Sequence, residues 1–429
     1  MGSLTPITAG SDAEVSAPDF PEVAGYRALL ELGAGGMGDT WLGITTDPNQ
    51  FERVVVLKRL RAKHKPDPDA ARRFIDEART AASVIHPNVV GVHQVGRDEQ
   101  GPFLVLDYVE GATLEQLLDF YKVVQRPLAP KVIARVALDI ARGLAAIHGA
   151  CDARGRALEI VHRDLSLQNI LVGLDGVTRI ADFGIAKSAL TTVLTDRNYL
   201  VGKLLYLPPE YLKQLPSGQA LDVYSFGVSL WMALAGGRAP WEFRSEVQLS
   251  WAICEVGVPS LGTVAPELPA AWIELVDRAC ARDPAERFAS GAELLAAILR
   301  FKEEQPGLIA SREEVEAAVS AGFGPRLSMR RQRVAQRLSE PTPEPKPWRS
   351  SHPSFTSEAG LPLIVEEPKA EGWALPRQGS DARARRGLKL GALALLLIAL
   401  AALIWLLAAR LSQSSAPSSP PAGDHAGQR

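Results

Sequence analysis

Residues Val161 to Asn169 read Val-His-Arg-Asp-Leu-Ser-Leu-Gln-Asn, and Ala181 to Gly184 follow with Ala-Asp-Phe-Gly. Asp164 stands five residues before Asn169, and Asp182 thirteen residues after it. A carboxylate, a carboxamide and a second carboxylate in this order are what a site needs to orient a hydroxyl nucleophile beside two magnesium ions, so phosphoryl transfer is the first chemistry the chain suggests. Each motif alone is weak, because Asp-Phe-Gly is a good turn in any protein. In this order and at this spacing the pair is specific.

Upstream, Leu29 to Gly43 predicts a strand, a glycine turn and a returning strand, and Arg53 to Lys58 a third strand rich in β-branched residues. Gly33, Gly35 and Gly38 remove side chains where backbone must close over phosphate, and leave amides to face its oxygens. The Gly-x-Gly-x-x-Gly pattern also opens dinucleotide folds, but those want a helix after the strand. Here a β-rich stretch bearing Lys58 follows twenty residues after Gly38, which favours a nucleotide triphosphate cradle. Asp69 to Ser83 has helical spacing and offers Glu77 as the ion-pair partner that would hold Lys58 toward the α- and β-phosphates.

Asn88 to Gln94 and Phe103 to Leu106 read as short strands, and Leu106-Asp107-Tyr108-Val109 ends in Glu110-Gly111, a turn that suits a hinge. Helical spacing follows at Thr113 to Tyr121, Pro130 to Gly149, Asp222 to Leu234, Ala270 to Ala281 and Ser290 to Phe301. A β-rich first third followed by helices predicts an α+β arrangement of two lobes with a nucleotide between them.

The chain of 429 residues is long enough for roughly two to three domains. A hydrophobic fraction of 46% suits a sizeable core, and a net charge of -2 gives no basic footprint for nucleic acid. Cys151, Cys254 and Cys280 lack Cys-x-x-Cys spacing, which predicts a reducing compartment without a disulfide framework or structural metal. Met1 to Pro6 carries neither the basic start nor the apolar run of a cleaved signal, and Pro6 fails the myristoylation pattern.

Residues 1–25 read as a disordered N-terminal tail, 26–301 as the folded domain, and 302–387 as a mostly disordered linker. Within that linker a helix is expected at about Ser311 to Ala321, before a basic run from Arg326 to Arg337 that is either solvated or touches anionic lipid. Residues 388–410 are expected to form a transmembrane helix, since Leu390 to Ala409 is an uncharged run long enough to cross a bilayer core. Arg383, Arg385, Arg386 and Lys389 precede the span and only Arg410 closely follows it, which places the N-terminal side in the cytoplasm and leaves 411–429 as a short extracytoplasmic tail. Small residues recur every seven positions at Gly387, Ala394, Ala401 and Ala408, a stripe that either permits a homodimer or is a coincidence of alanine-rich composition.

Together these motifs closely resemble the eukaryotic-like (Hanks-type) Ser/Thr protein kinase family over about Tyr26 to Phe301. The Gly-Gly-Met-Gly loop and the single apolar span resemble its bacterial, membrane-anchored branch. The resemblance implies a bilobal protein-kinase fold with a β-rich N-lobe, a helical C-lobe and one C-terminal transmembrane helix. It further implies ATP with Mg2+ or Mn2+, protein substrates, and a single-pass inner-membrane location with the kinase domain cytoplasmic. By the same similarity, Gly33, Gly35 and Gly38 cover the phosphates, Leu32, Gly36 and Thr40 join them in the cofactor-binding set, and Leu106 is the gatekeeper before an adenine-binding hinge at Asp107 to Val109. Lys58 would pair with Glu77, Asp164 would orient the acceptor hydroxyl and take its proton late, and Asn169 with Asp182 would hold the metal. Glu210 of Pro-Pro-Glu would pair with Arg287, and Asp222 would brace the catalytic loop.

Three departures stand out. Thr40 replaces the usual valine that packs on adenine, Ser166 the lysine that contacts the transferred phosphate, and Lys203 a threonine that touches the same aspartate. The last two are complementary: one site loses an amine and the other gains one. Lys203 is therefore expected to act as a catalytic residue in place of the missing lysine, unless it is simply solvated. Arg163 is expected as a buried guanidinium awaiting a phosphorylated loop residue among Thr191, Thr192 and Thr195. A pseudokinase scaffold is the alternative, opposed by the presence of Lys58, Asp164, Asn169 and Asp182. Tyr specificity is a second alternative, opened by the lysine missing at Ser166.

Overall fold

Along strand β4 (Val54–Arg59), Val55, Leu57 and Arg59 are buried while Val54, Val56 and Lys58 are partly exposed, the period of two that a strand gives when its faces see different surroundings. The computed structural model describes residues 22–23, 25–35, 38–46, 52–59, 75–76, 78–98, 101–182 and 202–340. In it β4 belongs to a six-stranded antiparallel sheet ordered β1-β2-β3-β4-β6-β5. The other strands are β1 (Glu22–Val23), β2 (Tyr26–Gly35), β3 (Gly38–Thr45), β5 (Val92–Asp98) and β6 (Gly101–Asp107). Ala28, Val55, Leu57, Phe103 and Val105 pack together on one face, and helical residues 78–82 bring Ala78 and Ala81 against Leu104 on the other.

The strand expected from Asn88 begins only at Val92. The reason is a competing partner. The Asn88 side chain donates to the Thr178 carbonyl at 2.9 Å, the Val90 N–H donates to the Ile180 carbonyl at 2.9 Å, and the Ile180 N–H returns to Asn88 at 2.9 Å. These residues thereby join the sheet lobe to β9 (Thr178–Ile180), which lies in a second, three-stranded sheet ordered β7-β8-β9 with β7 (Gly111–Thr113) and β8 (Ile170–Gly173).

The remaining regular elements of the described chain are helices. Helix α1 (Leu114–Val123) starts where the Thr113 hydroxyl and the Gln116 side chain cap each other's N–H groups. Helix α2 (Pro130–His148) opens on a proline, whose fixed φ suits a first turn, and buries Leu138, Leu144 and Ile147. Helices α3 (Pro209–Leu212), α4 (Ala220–Leu234), α5 (Glu246–Trp251), α6 (Ala270–Ala279) and α7 (Gly291–Glu304) follow. Every residue of α4 from Leu221 to Ala233 is buried, so this helix is the axis of the lobe. The short α5 and the second sheet carry too few periodic residues to be expected from the sequence.

The last helix differs from expectation. Helix α8 (Arg312–Ser339) spans 28 residues, starts at a Ser311–Glu314 capping box, and runs through the basic stretch instead of ending near Ala321. Gly322, Gly324 and Pro325 are poor helix residues, and Pro325 removes one backbone hydrogen bond. Packing outweighs them, because Phe323 and Leu327 beyond the glycine are buried in the C-lobe core. Leu390 to Ala409 and the seven-residue stripe lie outside the described residues, among which no helix is long and apolar enough to cross a membrane.

Candidate active site

The loop between α2 and β8 is held from beneath by a single carboxylate. Asp222, fully buried near the start of α4, accepts the N–H of His162 at 2.7 Å, the N–H of Arg163 at 2.8 Å and Nε2 of His148 at 2.9 Å. These bonds over-determine Arg163, whose φ of 62° lies in the left-handed region. A non-glycine residue there costs on the order of 1–3 kcal/mol and is met at sites the fold must pin. The Arg163 side chain, expected to be buried, is exposed, and its main-chain N–H is held by Asp222.

With the loop so set, Asp164 is nearly enclosed and Asn169 Nδ2 donates to both its carbonyl at 2.8 Å and its Oδ2 at 2.9 Å. Lys203 lies on the segment leading to Pro208. Its ammonium reaches Asp164 Oδ1 at 2.9 Å and Oδ2 at 2.8 Å, and Ser166 Oγ at 3.4 Å. Ser166 is fully buried, with its hydroxyl beside the Lys203 ammonium.

Across the cleft, the register sets Lys58 on β4 opposite Thr40 on β3 and Leu104 on β6. Its ammonium pairs with Asp182 Oδ1 at 2.6 Å, and Asp182, like Arg163, has a left-handed φ, here 56°. Leu106 pairs with Val56 at the end of β6. The Asp107 carboxylate is engaged by Arg53, by His93 Nε2 at 2.8 Å and by the Gly91 N–H at 3.1 Å, so any ligand contact from this residue falls to its main chain. Further down, Arg287 holds Glu210 through two bonds of 2.7 and 2.9 Å and lies 4.8 Å from the centroid of the Tyr224 ring, a fully buried bidentate clamp under the Pro-Pro-Glu segment.

A family model described as a protein kinase domain matches residues 26–297. The chain belongs to the protein kinase family. This kinase chain is 32% identical over 272 residues to the probable serine/threonine-protein kinase PknB of Lactococcus lactis, an alignment covering 63% of the chain and 41% of that protein. It is 29% identical over 279 residues to the tyrosine-protein kinase MasK of Myxococcus xanthus, covering 65% of the chain and 43% of that protein. The chain thus spans about two-fifths of the length of both relatives. The crystal structure of the Mycobacterium tuberculosis PknI kinase domain shares its fold, with a TM-score of 0.50 at 23% identity over 66% of this chain and 98% of that one.

The kinase fold gathers Lys58 with Asp182, and Asp164 with Asn169 and Lys203, into two groups facing the cleft between its lobes. Glu77, Gly36, Phe183 and the loop threonines Thr191, Thr192 and Thr195 lie outside the described residues. Protein kinases use ATP with a divalent cation, and the donors here fit one. The Asn169 amide nitrogen is committed to Asp164, which leaves Oδ1 as its ligand atom, and Asp182 adds a carboxylate. Two hard oxygen donors completed by phosphates are what Mg2+ accepts. His148 was not singled out by any motif, yet it joins Asp222 to the Gly291 N–H at 2.9 Å; a histidine inside the apolar row of α2 is the signal that could have found it.

Proposed function

We propose that this chain transfers the γ-phosphoryl group of ATP to Ser and Thr hydroxyls of proteins. Asn169 and Lys203, each within hydrogen-bond distance of Asp164, carry this reading. Asp164 would accept the hydrogen bond of the acceptor hydroxyl and take its proton as the new O–P bond forms and the bond to the β–γ bridging oxygen breaks, releasing ADP. Lys58 would hold the α- and β-phosphates, and Asn169 with Asp182 would hold Mg2+. When bound, Mg2+ would supply positive charge to the phosphate oxygens. Lys203 would supply the positive charge that Ser166 cannot, beside the same aspartate.

Two observations favour tyrosine as the acceptor in a second reading, namely the hydroxyl at Ser166 in place of a lysine and the resemblance to MasK. One experiment separates them. Full-length protein is incubated with γ-labelled ATP and Mg2+ beside Asp164→Asn, and the labelled residues are mapped. Label on Ser or Thr in the wild type alone is expected; label on Tyr moves the reading to tyrosine, and nucleotide binding without label makes the chain a scaffold. In the same assay Lys203→Ala is expected to lose about 10²-fold in kcat, the order of cost for one preorganised electrostatic group. Lys203→Thr combined with Ser166→Lys should recover most of it. Undiminished turnover in folded Lys203→Ala sinks the exchange of roles.

We also infer that residues 388–410 anchor the chain in the inner membrane with the kinase domain in the cytoplasm. The uncharged run from Leu390 to Ala409 and the basic flank before it support this. Recovery of the full-length chain in the soluble fraction of disrupted cells would remove that reading.

A further inference from the structure

Helix α8 presents an apolar residue every fourth position, Val315, Val319, Phe323 and Leu327, all buried. Residues four apart form one ridge of a helix, and the next member of this ridge is Arg331. Arg331 directs Nε to Glu110 Oε1 at 2.5 Å and Nη2 to Oε2 at 2.9 Å, a two-pronged grip on the residue that closes the hinge. Beside it, Arg330 Nη1 lies 3.4 Å from the Tyr108 hydroxyl. Farther along, Arg27 Nη2 on β2 donates to the Arg337 carbonyl at 3.4 Å.

The other end of the ridge is seated with equal care. The Tyr121 hydroxyl donates to the Ala318 carbonyl at 3.2 Å, and Phe323 packs on Phe120 with ring centroids 6.1 Å apart. Two glycines make the room. A Cβ on Gly176, in the β8–β9 turn, would fall 2.2 Å from the Arg312 carbonyl oxygen, and one on Gly322 would fall 2.9 Å from the Phe120 ring. The helix therefore starts against the second sheet, crosses the hinge segment and ends on the N-lobe sheet. The basic run, expected to be solvated or lipid-bound, has part of its charge committed to this contact.

We propose that α8 is a positioning element of the nucleotide site, in which Arg331 and Glu110 pin the hinge main chain from Asp107 to Val109. The inference rests on the reading of that segment as the adenine contact. An exposed ion pair holds little by itself. Here it ends a buried ridge, so both partners are already placed before they meet. A hinge held in its binding conformation spares the nucleotide the cost of ordering it, which is felt in affinity and hardly in the chemical step.

The test uses the full-length chain. Arg331→Glu sets two carboxylates against each other at a side chain that is 63% exposed, so the fold should tolerate it. The apparent KM for ATP is expected to rise about three- to tenfold with kcat within about twofold, and Glu110→Arg added to Arg331→Glu should restore KM. An unchanged KM in Arg331→Glu, or a raised KM that the double exchange leaves raised, overturns the proposal. Hydrogen exchange on the wild type gives a second measurement, because coupling is reciprocal: a non-hydrolysable ATP analogue should slow exchange in residues 323–337 although none of them belongs to the nucleotide site. Unchanged exchange there also overturns it. Wild-type protein that binds no ATP overturns the functional reading beneath; wild type that binds ATP while the variants match it overturns the hinge role alone.

Discussion

His162 is enclosed on all sides, with Nδ1 accepting the Asp164 N–H at 3.3 Å and Nε2 facing the Ala181 carbonyl at 3.2 Å, so one imidazole ties the catalytic loop to the segment that delivers Asp182. Burial outweighs the neighbouring Asp222, Asp164 and Asp182 and lowers the proton affinity of the ring below its ordinary value. Above the ordinary imidazole range both folded and unfolded states are neutral here, and the residue contributes no pH dependence. As pH falls through about 6.5 the unfolded chain binds a proton that the folded one refuses, so stability falls. Urea midpoints measured from pH 7.5 to 5.5 are expected to decline in the wild type and to decline less in His162→Gln. An equal decline in both would assign the acid sensitivity elsewhere.

Among the elements, α8 yields the prediction whose sign is least expected. Replacing a glycine inside a helix by alanine ordinarily stabilises by about 1 kcal/mol. At Gly322 the added methyl would press on the Phe120 ring from 2.9 Å, so Gly322→Ala is expected to lower Tm instead, and a raised Tm would show that the helix does not pack as described. The same helix marks where the sequence was hard to read. Gly322, Gly324 and Pro325 are local stop signals, and only the ridge from Val315 to Leu327, completed by surfaces distant in the chain, reveals that they are overridden. Asn88 is a similar case, since its partners lie about ninety residues away on β9. By contrast β4 and α2 were legible because period-2 and helical apolar patterns are local. Lys203 was legible only as the complement of Ser166, two departures that make sense together and neither alone. The exposed side chain of Arg163 was not, because its neighbours in sequence say nothing of which way a left-handed residue turns.

At the scale of the whole kinase unit, the two lobes meet at the hinge, where α8 lies, and at the cleft, where Lys58 of the N-lobe sheet holds Asp182 of the helical lobe at 2.6 Å. The carboxylate suited to a divalent cation already holds an ammonium ion. A cation arriving alone has to displace that charge without bringing the lysine a new anionic partner. One arriving on a nucleotide brings phosphates to which the lysine can turn. Calorimetric titration is therefore expected to find weak binding of free Mg2+ and far tighter binding with ADP present, and equal affinities would contradict it. If metal and nucleotide so enter together, the Lys58–Asp182 pair is expected to break on their arrival and to re-form when they leave.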